Sequence, residues 1–567
     1  MFKKVPELLN KSQKLKVFLY FSFTLIVILF ELLSLGIIIP LVASILNPEQ
    51  SIKYLSILPI EIGSVNKDNI IIVIFVIFNI LIISKNLILY LVKKYQVKFI
   101  ADYQKFLQDE LFNRYLFFPV SKLLNNNISI INRNVIDLSS EYVNNYLNPL
   151  LTIIADLVLL FFILIFLFLA EPFFTLSSII VFSIFGISIF LITKKTLLLE
   201  GEKYKDNKSE RIKTLNETFG AILEIKSFQR EDKFYRNFKN ITEILKNIQI
   251  KISILGFIPK LIFEIFAVLI ITFFFLILFK NNLNLNDILP LIALFCYAIV
   301  RIVPIINKIL NNAQRLKYSE PSFKEIYSVI KYSFIKSTHG EKFQKFDKEI
   351  ELSNVSFEYI KNNILFENIS IKVKKNDFII ITGASGSGKS TLLKIILGLF
   401  EPSKGDVLCD SNSIYLNINQ WQKMISFVPQ DVYILDDTFE KNITIGQEIS
   451  EIDIKKYEKS VTFANLSKFV ENLPRGKETI LGDKGSKISG GQKQRIGLAR
   501  AIYSDTEIII LDESTSSIDE KNELIILENL KELKKIGKTI IFVTHKKDLK
   551  KYCNEFYLLK DKLLVKK

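Results

Sequence analysis

The chain has 567 residues, 49% of them hydrophobic, and a formal net charge of +16. That length exceeds what one hydrophobic core serves, so at least two domains are expected. Nucleic-acid binding is excluded as the reason for the charge because the basic residues follow a membrane pattern rather than a soluble face. Lys3, Lys4, Lys11, Lys14 and Lys16 precede the first apolar run. Lys93, Lys94, Lys98, Lys105 and Arg114, then Lys194, Lys195, Lys203, Lys205, Lys208 and Arg211, occupy two long loops.

Long Ile/Leu/Phe runs dominate residues 1–315, which predicts a membrane domain. Six segments are long enough to cross a hydrocarbon core of about 30 Å at about 1.5 Å per residue. They are 17–46, 69–92, 147–169, 172–193, 252–279 and 286–310. The third and fourth are separated only by a tight turn at Ala170-Glu171-Pro172, while the two long intervals remain polar with helical periodicity, as in Glu217–Phe228. The helices are therefore expected to continue into the cytoplasm. The alternate loops are short and nearly uncharged, so the N-terminus and both long loops are placed in the cytoplasm. The first run is too long for a signal-peptide core. Cys296, Cys409 and Cys553 have no metal or redox spacing and suit a reducing compartment.

Glu31, Lys85, Asp156, Lys260, Glu264 and Arg301 interrupt the apolar runs. Charges at membrane depth are expensive and mark functional positions. Lys85, Lys260 and Arg301 lie towards the cytoplasmic side, where long side chains reach the interface by snorkelling. Asp156 and Glu31 lie nearer mid-run, where a helix–helix hydrogen bond is the plain explanation.

Residues 316–348 are charged and read as a linker, and 349–567 as a cytoplasmic α/β domain. Phe378–Thr382 is a buried-strand run that leads into Gly383-Ala-Ser385-Gly386-Ser387-Gly388-Lys389-Ser390-Thr391 and then an amphipathic helix. Strand, glycine loop and helix in that order form a P-loop. Its backbone N–H groups cradle phosphates, Lys389 neutralises the β/γ oxygens and the Ser390 hydroxyl ligates Mg²⁺. Downstream, Ile508–Leu511 reads as a second buried strand ending in Asp512-Glu513, with Asp512 to hold Mg²⁺ through water and Glu513 to polarise the attacking water. His545, one of two histidines, ends a third strand, Thr539–Thr544, and is placed to contact the γ-phosphate. Between these lies Ile488-Ser489-Gly490-Gly491-Gln492, where a hydroxyl and side-chain-free glycines at a helix start offer donors to an anion.

These pieces together resemble an ATP-binding-cassette exporter half-transporter: a six-helix membrane domain fused ahead of a P-loop NTPase cassette. Ser489–Gln492 resemble the cassette signature, and Tyr359 the aromatic that stacks on adenine. Gln430 in Phe-Val-Pro-Gln-Asp resembles the Q-loop glutamine, which also contacts the metal, and Ser516-Ser-Ile-Asp519 the D-loop. Ile488 stands where the family usually has leucine, and Ser517-Ile518 where it more often has Ala-Leu. The resemblance implies a head-to-tail dimer with ATP and Mg²⁺ between the P-loop of one subunit and the signature of the other, so that Ser489 and Gly491 act in trans. No catalytic position is degenerate, which favours a homodimer. It also implies coupling helices at the loop tips, near Pro119–Leu124 and Arg211–Leu215.

For cargo, the chain is most similar to bacterial lipid-linked oligosaccharide flippases, on Glu31–Pro40 and on Arg301-Ile-Val-Pro304-Ile-Ile-Asn307. A polyprenyl-pyrophosphate-linked saccharide is the first expectation, with Arg301 and Glu31 as substrate residues, since guanidinium binds phosphate oxygens bidentately. Another lipid of the lipid A type, a drug or a peptide is the alternative. The chain starts on a short basic segment rather than a peptidase domain, which separates it from peptide exporters that process their cargo.

Overall fold

Each apolar run of the membrane half folds as a helix, and each outlasts its hydrophobic stretch. The computed structural model describes residues 2–46, 67–124, 128–280, 285–331, 346–360, 363–515, 518–546 and 548–567. Among them, six helices are long and apolar enough to cross a membrane. The first, Lys11–Gly36, begins with an Asn10/Gln13 capping box and is broken at Ile37 before Ile38–Leu46. Lys67–Leu116 is the second, and Asn148–Ala170, which follows a helical run with two π-helical stretches at Arg133–Leu138 and Val143–Leu147, is the third. Pro172–Gly220, Glu231–Lys280 and Leu285–Tyr318 complete the set. The predicted tight turn is a single residue, Glu171, in extended conformation.

Two expectations shift. Residues 211–215 lie inside the unbroken fourth helix; the short helix at the tip of that loop is Ile222–Ser227. Nothing in 211–215 breaks a helix, and Gly220, where this one ends, is the first glycine beyond them. Residues 316–331 are not linker either: the sixth helix runs to Tyr318 and Glu320–Lys331 follows as a separate helix. The ring of Phe323 on that helix stacks on Tyr146 at 4.8 Å and 4°.

The chain divides into two compact units, the membrane half and the cassette half, and the short helix Val120–Leu124 belongs with the cassette. Val120 packs against that unit's apolar core, in line with the loop tip expected near Pro119–Leu124.

In the cassette, β1 (Glu349–Ile360), β2 (Asn363–Lys374), β4 (Lys404–Cys409) and β5 (Asn412–Ser413) form an antiparallel sheet ordered β2-β1-β4-β5. A second sheet has the order β10-β9-β3-β8-β7-β6, from β3 (Phe378–Gly383), β6 (Ile425–Val428), β7 (Ile508–Asp512), β8 (Thr539–Val543), β9 (Glu555–Lys560) and β10 (Leu563–Lys566). Its central strands are parallel, largely apolar and buried almost throughout, as a sheet covered on both faces requires. Alternate residues feed different cores: Ile379, Ile381, Ile510 and Ile541 pack with the helix after the P-loop. Ile380, Ile509, Leu511 and Phe542 pack with the helix that starts at the signature. Each such fully buried side chain contributes about 1.5–3 kcal/mol.

Gly201 marks a close approach between the fourth and sixth helices, since a Cβ there would lie 2.2 Å from the Tyr318 carbonyl oxygen. Gly201→Ala should lower stability by about 1–3 kcal/mol despite alanine's better helix propensity, because backbone must move. Thermal unfolding of the detergent-solubilised protein checks this; an unchanged or raised midpoint would show that the crossing has slack.

Candidate nucleotide site and membrane charge cluster

β3, β8 and β7 end level: Ile381 stands opposite Val543, and Val543 opposite Asp512. The residues after those ends are the P-loop, His545 and Glu513, so three distant stretches meet at one carboxyl edge. Gly386 and Gly388 have φ of +77° and +99°, a region open to glycine at no steric cost. At Gly383 the demand is space: a Cβ would lie 2.6 Å from the Leu559 carbonyl oxygen and 2.8 Å from Ser387 Oγ. Gly388 caps the helix Lys389–Ile396, and Ser385 and Gly386 are exposed at the loop tip, where backbone donors and the helix end favour an anion.

Glu513 is the meeting point of this edge. Gln430 Nε2 donates to its Oε2 at 2.9 Å. His545 Nε2 lies 2.6 Å and Lys389 Nζ 3.7 Å from its Oε1. His545 Nδ1 is 3.0 Å from the Gly383 carbonyl oxygen, so both ring nitrogens face oxygen atoms. Lys389 Nζ also donates to the carbonyls of Gly383 and Ala384, at 3.0 Å each. Burial lowers the Lys389 pKa from its ordinary value, and the charge of Glu513 opposes that shift. Glu513 itself has φ of +47°, a strained conformation for a non-glycine residue of order 1–3 kcal/mol. Its N–H donates to the Val543 carbonyl at 2.9 Å, and the turn aims the carboxylate over the strand ends.

Asp512 is buried, and its Oδ1 has no hydrogen-bond partner. Burial raises its pKa from the ordinary carboxyl value, with a hydrogen bond from Ser390 pulling it down. An unpaired buried carboxylate oxygen beside a hydroxyl is an oxygen-donor set that suits a hard divalent cation. Ser390 and Asp512 would hold Mg²⁺, and Gln430, whose amide nitrogen is committed to Glu513, has its carbonyl oxygen left to join them. A metal held there would neutralise phosphate charge.

Tyr359 is 59% exposed. Its hydroxyl bonds with Thr391 Oγ1 at 2.7 Å, and its ring stands edge-on to Phe357 at 88°, leaving a flat face for a base. Ser489 and Gln492 form a capping box on the helix Gly490–Tyr503. Because the Ser489 hydroxyl accepts there, it keeps its donor proton. Ser489 and Gly490 are exposed, and Gly491 is half-buried. The structure does not bring this segment to its own P-loop core: the signature helix packs on one face of the sheet and the P-loop helix on the other. Asp519 caps the helix Glu520–Lys535 and accepts from the side chain of Asn522 at 2.6 Å, which lowers its pKa; Ser516 and Ser517 lie outside the described residues. Arg500 had no motif to reveal it. Its guanidinium donates to the backbone carbonyls of Asn442 and Tyr433 and to Asn442 Oδ1, tying the segment after Gln430 to the signature helix. Burial lowers its pKa to about 10.

In the membrane half, the intramembrane charges pair with one another. Glu31 lies 2.8 Å from Lys85 Nζ and 3.2 Å from Arg301 Nε. Lys85 is 3% exposed, so it does not snorkel. Arg301 Nη2 donates to the Tyr297 hydroxyl at 2.7 Å. Asp156 pairs with Lys308 at 3.0 Å, and Lys260 with Glu264 one turn along at 3.8 Å.

Residues 21–302 match the family described as ABC transporter transmembrane region, and 366–516 the family described as ABC transporter. The ATP-dependent lipid A-core flippase of Ralstonia nicotianae is 25% identical over 443 residues, 78% of this chain and 74% of that protein. The heterocyst differentiation ATP-binding protein HepA of Nostoc is 33% identical over 265 residues, 46% of this chain and only 43% of its own length. A solved structure of a bacterial Atm1-family ABC exporter with ATP bound superposes with a TM-score of 0.82 at 16% identity, covering 98% of this chain and 94% of that one. The chain belongs to the ABC transporters, with the membrane region and one ATP-binding cassette fused in a multi-pass half-transporter of exporter fold.

Glu513→Gln removes the charge that collects Gln430, His545 and Lys389 and turns one of its two acceptor oxygens into a donor. ATP binding should persist while turnover falls about 10²–10⁴-fold, the usual span for a lost acid–base group. Nucleotide binding and phosphate release measured on the same sample check this; rapid hydrolysis by the variant would remove Glu513 from the role.

Proposed function

We propose that this chain forms a homodimer in the bacterial cytoplasmic membrane, with its N-terminus and cassette in the cytoplasm, and uses ATP hydrolysis to flip or export a polyprenyl-pyrophosphate-linked saccharide. The convergence of Gln430, His545 and Lys389 on Glu513 supports hydrolysis. Phosphoryl transfer to water is governed by positioning and charge neutralisation. Glu513 orients the water, Gln430 and His545 hold Glu513, Lys389 and the P-loop N–H groups carry phosphate charge, and Tyr359 stacks on the base. Ser489, Gly490, Gly491 and Gln492 close the site from the second subunit, with Asp519 beside them at the interface. Closure of the two cassettes would drive the membrane helices from inward-facing to outward-facing through Val120–Leu124 and Ile222–Ser227, and hydrolysis would reset them.

The charge cluster supports an anionic cargo. One carboxylate, Glu31, lies between two cations, Lys85 and Arg301, which leaves the cluster one positive charge in excess. The side chain of Arg301 is 35% exposed, and a pyrophosphate head group could take over its contact with Glu31 through bidentate hydrogen bonds. A second reading, a lipid A-type glycolipid, draws on the name of the Ralstonia relative and shares the same chemistry: a phosphorylated saccharide on a hydrocarbon anchor.

In nanodiscs, lipid-linked saccharide should stimulate ATP turnover of the parent protein, and Arg301→Ala should lose most of that stimulation. A response to lipid A but not to the polyprenyl lipid selects the second reading. Stimulation by a hydrophobic drug alone, with neither lipid translocated, would reject both.

A further inference from the structure

Where the apolar stretches of the fifth and sixth helices meet the cytoplasmic side, at 252 and 310, those two helices and the fourth border a half-open pocket of about 390 Å³. It belongs neither to the nucleotide site nor to the Glu31 cluster. Leu197, Ile252 and Phe257 give it an apolar lining, and Ser253, Asn311 and Arg315 a polar one. The frame around it is fixed: Gln314, buried, donates through Nε2 to the Leu255 carbonyl at 3.3 Å, and the close approach at Gly201 sets the fourth helix against Tyr318. Gly256 keeps the pocket open, since a Cβ there would lie 3.3 Å from Asn311 Oδ1. The polar lining is uncommitted. Among the described residues, the exposed Arg315 guanidinium has no ion pair and no hydrogen bond, and the Asn311 amide and Ser253 hydroxyl have no hydrogen-bond partner. No carboxylate lines the pocket; Glu200, near Leu197 in the chain, is taken by Lys251 at 2.7 Å and Lys203 at 3.7 Å.

We propose that this pocket holds the phosphodiester of a resident anionic phospholipid of the cytoplasmic leaflet, with the glycerol end of its acyl chains against the apolar lining. The leaflet rests on the orientation proposed above. A guanidinium offers two parallel N–H donors to phosphate oxygens, and the amide and hydroxyl beside it add single donors. Basic pockets between membrane helices on the cytoplasmic side are where anionic head groups bind. A zwitterionic lipid would bring an ammonium group to a guanidinium that has no carboxylate beside it, so the pocket selects for net charge as well as for phosphate. Arg315 stands ~21 Å of helical rise from Arg301, so a pyrophosphate at Arg301 does not reach it. The site is therefore assigned to a lipid that stays rather than to the cargo.

Native mass spectrometry of the full-length protein in detergent, titrated with phosphatidylglycerol, phosphatidylcholine or inorganic phosphate, tests this without nucleotide turnover, so its failure leaves the cargo reading untouched. Phosphatidylglycerol should bind at least about five-fold more tightly than phosphatidylcholine, the usual effect of one basic residue near an anionic head group. Arg315→Ala should remove that preference, and because Arg315 has no partner to leave unpaired, the variant should melt like the parent. Lys94→Ala, which removes an exposed cation of the second helix, should keep the preference. An equal loss in Lys94→Ala reduces the effect to diffuse surface charge and overturns the assignment. Equal binding of both lipids by the parent overturns it too, as does displacement of phosphatidylglycerol by millimolar inorganic phosphate or by stoichiometric lipid-linked saccharide. Should Arg315→Ala misfold, Asn311→Leu, which removes the amide donor and narrows the pocket, decides: it should lose the same preference, and a folded variant that keeps it overturns the assignment.

Discussion

The level ending of three parallel strands governs the chemistry of the cassette. β3, β8 and β7 share one register, so a loop arrives at one edge together with a pair of carboxylates and a histidine that lie more than a hundred residues beyond it in the chain. The backbone hydrogen bond from Glu513 to Val543 completes that edge, and it holds a strained glutamate where an unstrained turn would carry the carboxylate elsewhere. A one-residue slip of β7 would exchange its two apolar faces and redirect Asp512 and Glu513 together. The catalytic geometry and the hydrophobic core are thus specified by the same register.

The same sheet separates the two halves of the proposed nucleotide site. Its two faces are covered by different helices, the P-loop helix on one and the signature helix on the other. Ser489, with its donor proton to spare, is exposed rather than folded over the phosphate loop. A polar, anion-friendly helix start left open to solvent fits the second subunit that the proposed function calls for. Arg500 bears on this as well: by holding both the segment after Gln430 and the signature helix, it makes displacement of one a displacement of the other.

Much of this was legible from local pattern. The P-loop, the strands around it and the capping serine of the signature are short contiguous features whose backbone demands are written in their own residues, such as the positive φ at Gly386 and Gly388. The six spans were legible for the same reason, as was the turn at Glu171. What pattern missed depends on packing between distant segments. Lys85 reads as a snorkelling lysine until helix packing places Glu31 against it, 54 positions earlier in the chain. The loop tip expected at 211–215 lies instead at Ile222–Ser227, because helical periodicity alone does not say which of several polar turns is the last. Arg500 shows no motif since its partners are mostly backbone carbonyls, which any sequence supplies.

The charges in the membrane half follow one rule that reaches beyond pairing. Removing one partner from a buried ion pair costs about 3–5 kcal/mol, whereas apolar replacement of the whole pair is often neutral, so selection for stability alone gives no reason to retain Glu31, Lys85 and Arg301. Their arrangement is also unbalanced, with two cations to one carboxylate. An even pair would be self-sufficient; an excess charge at membrane depth is stable only with partial access to water, lipid head groups or an anion. Arg301 is the member with that access, its side chain 35% exposed against 4% for Lys85. Burial divides the cluster: Lys85 is sealed against Glu31, whereas Arg301, held by Tyr297 from one side, is the cation with access.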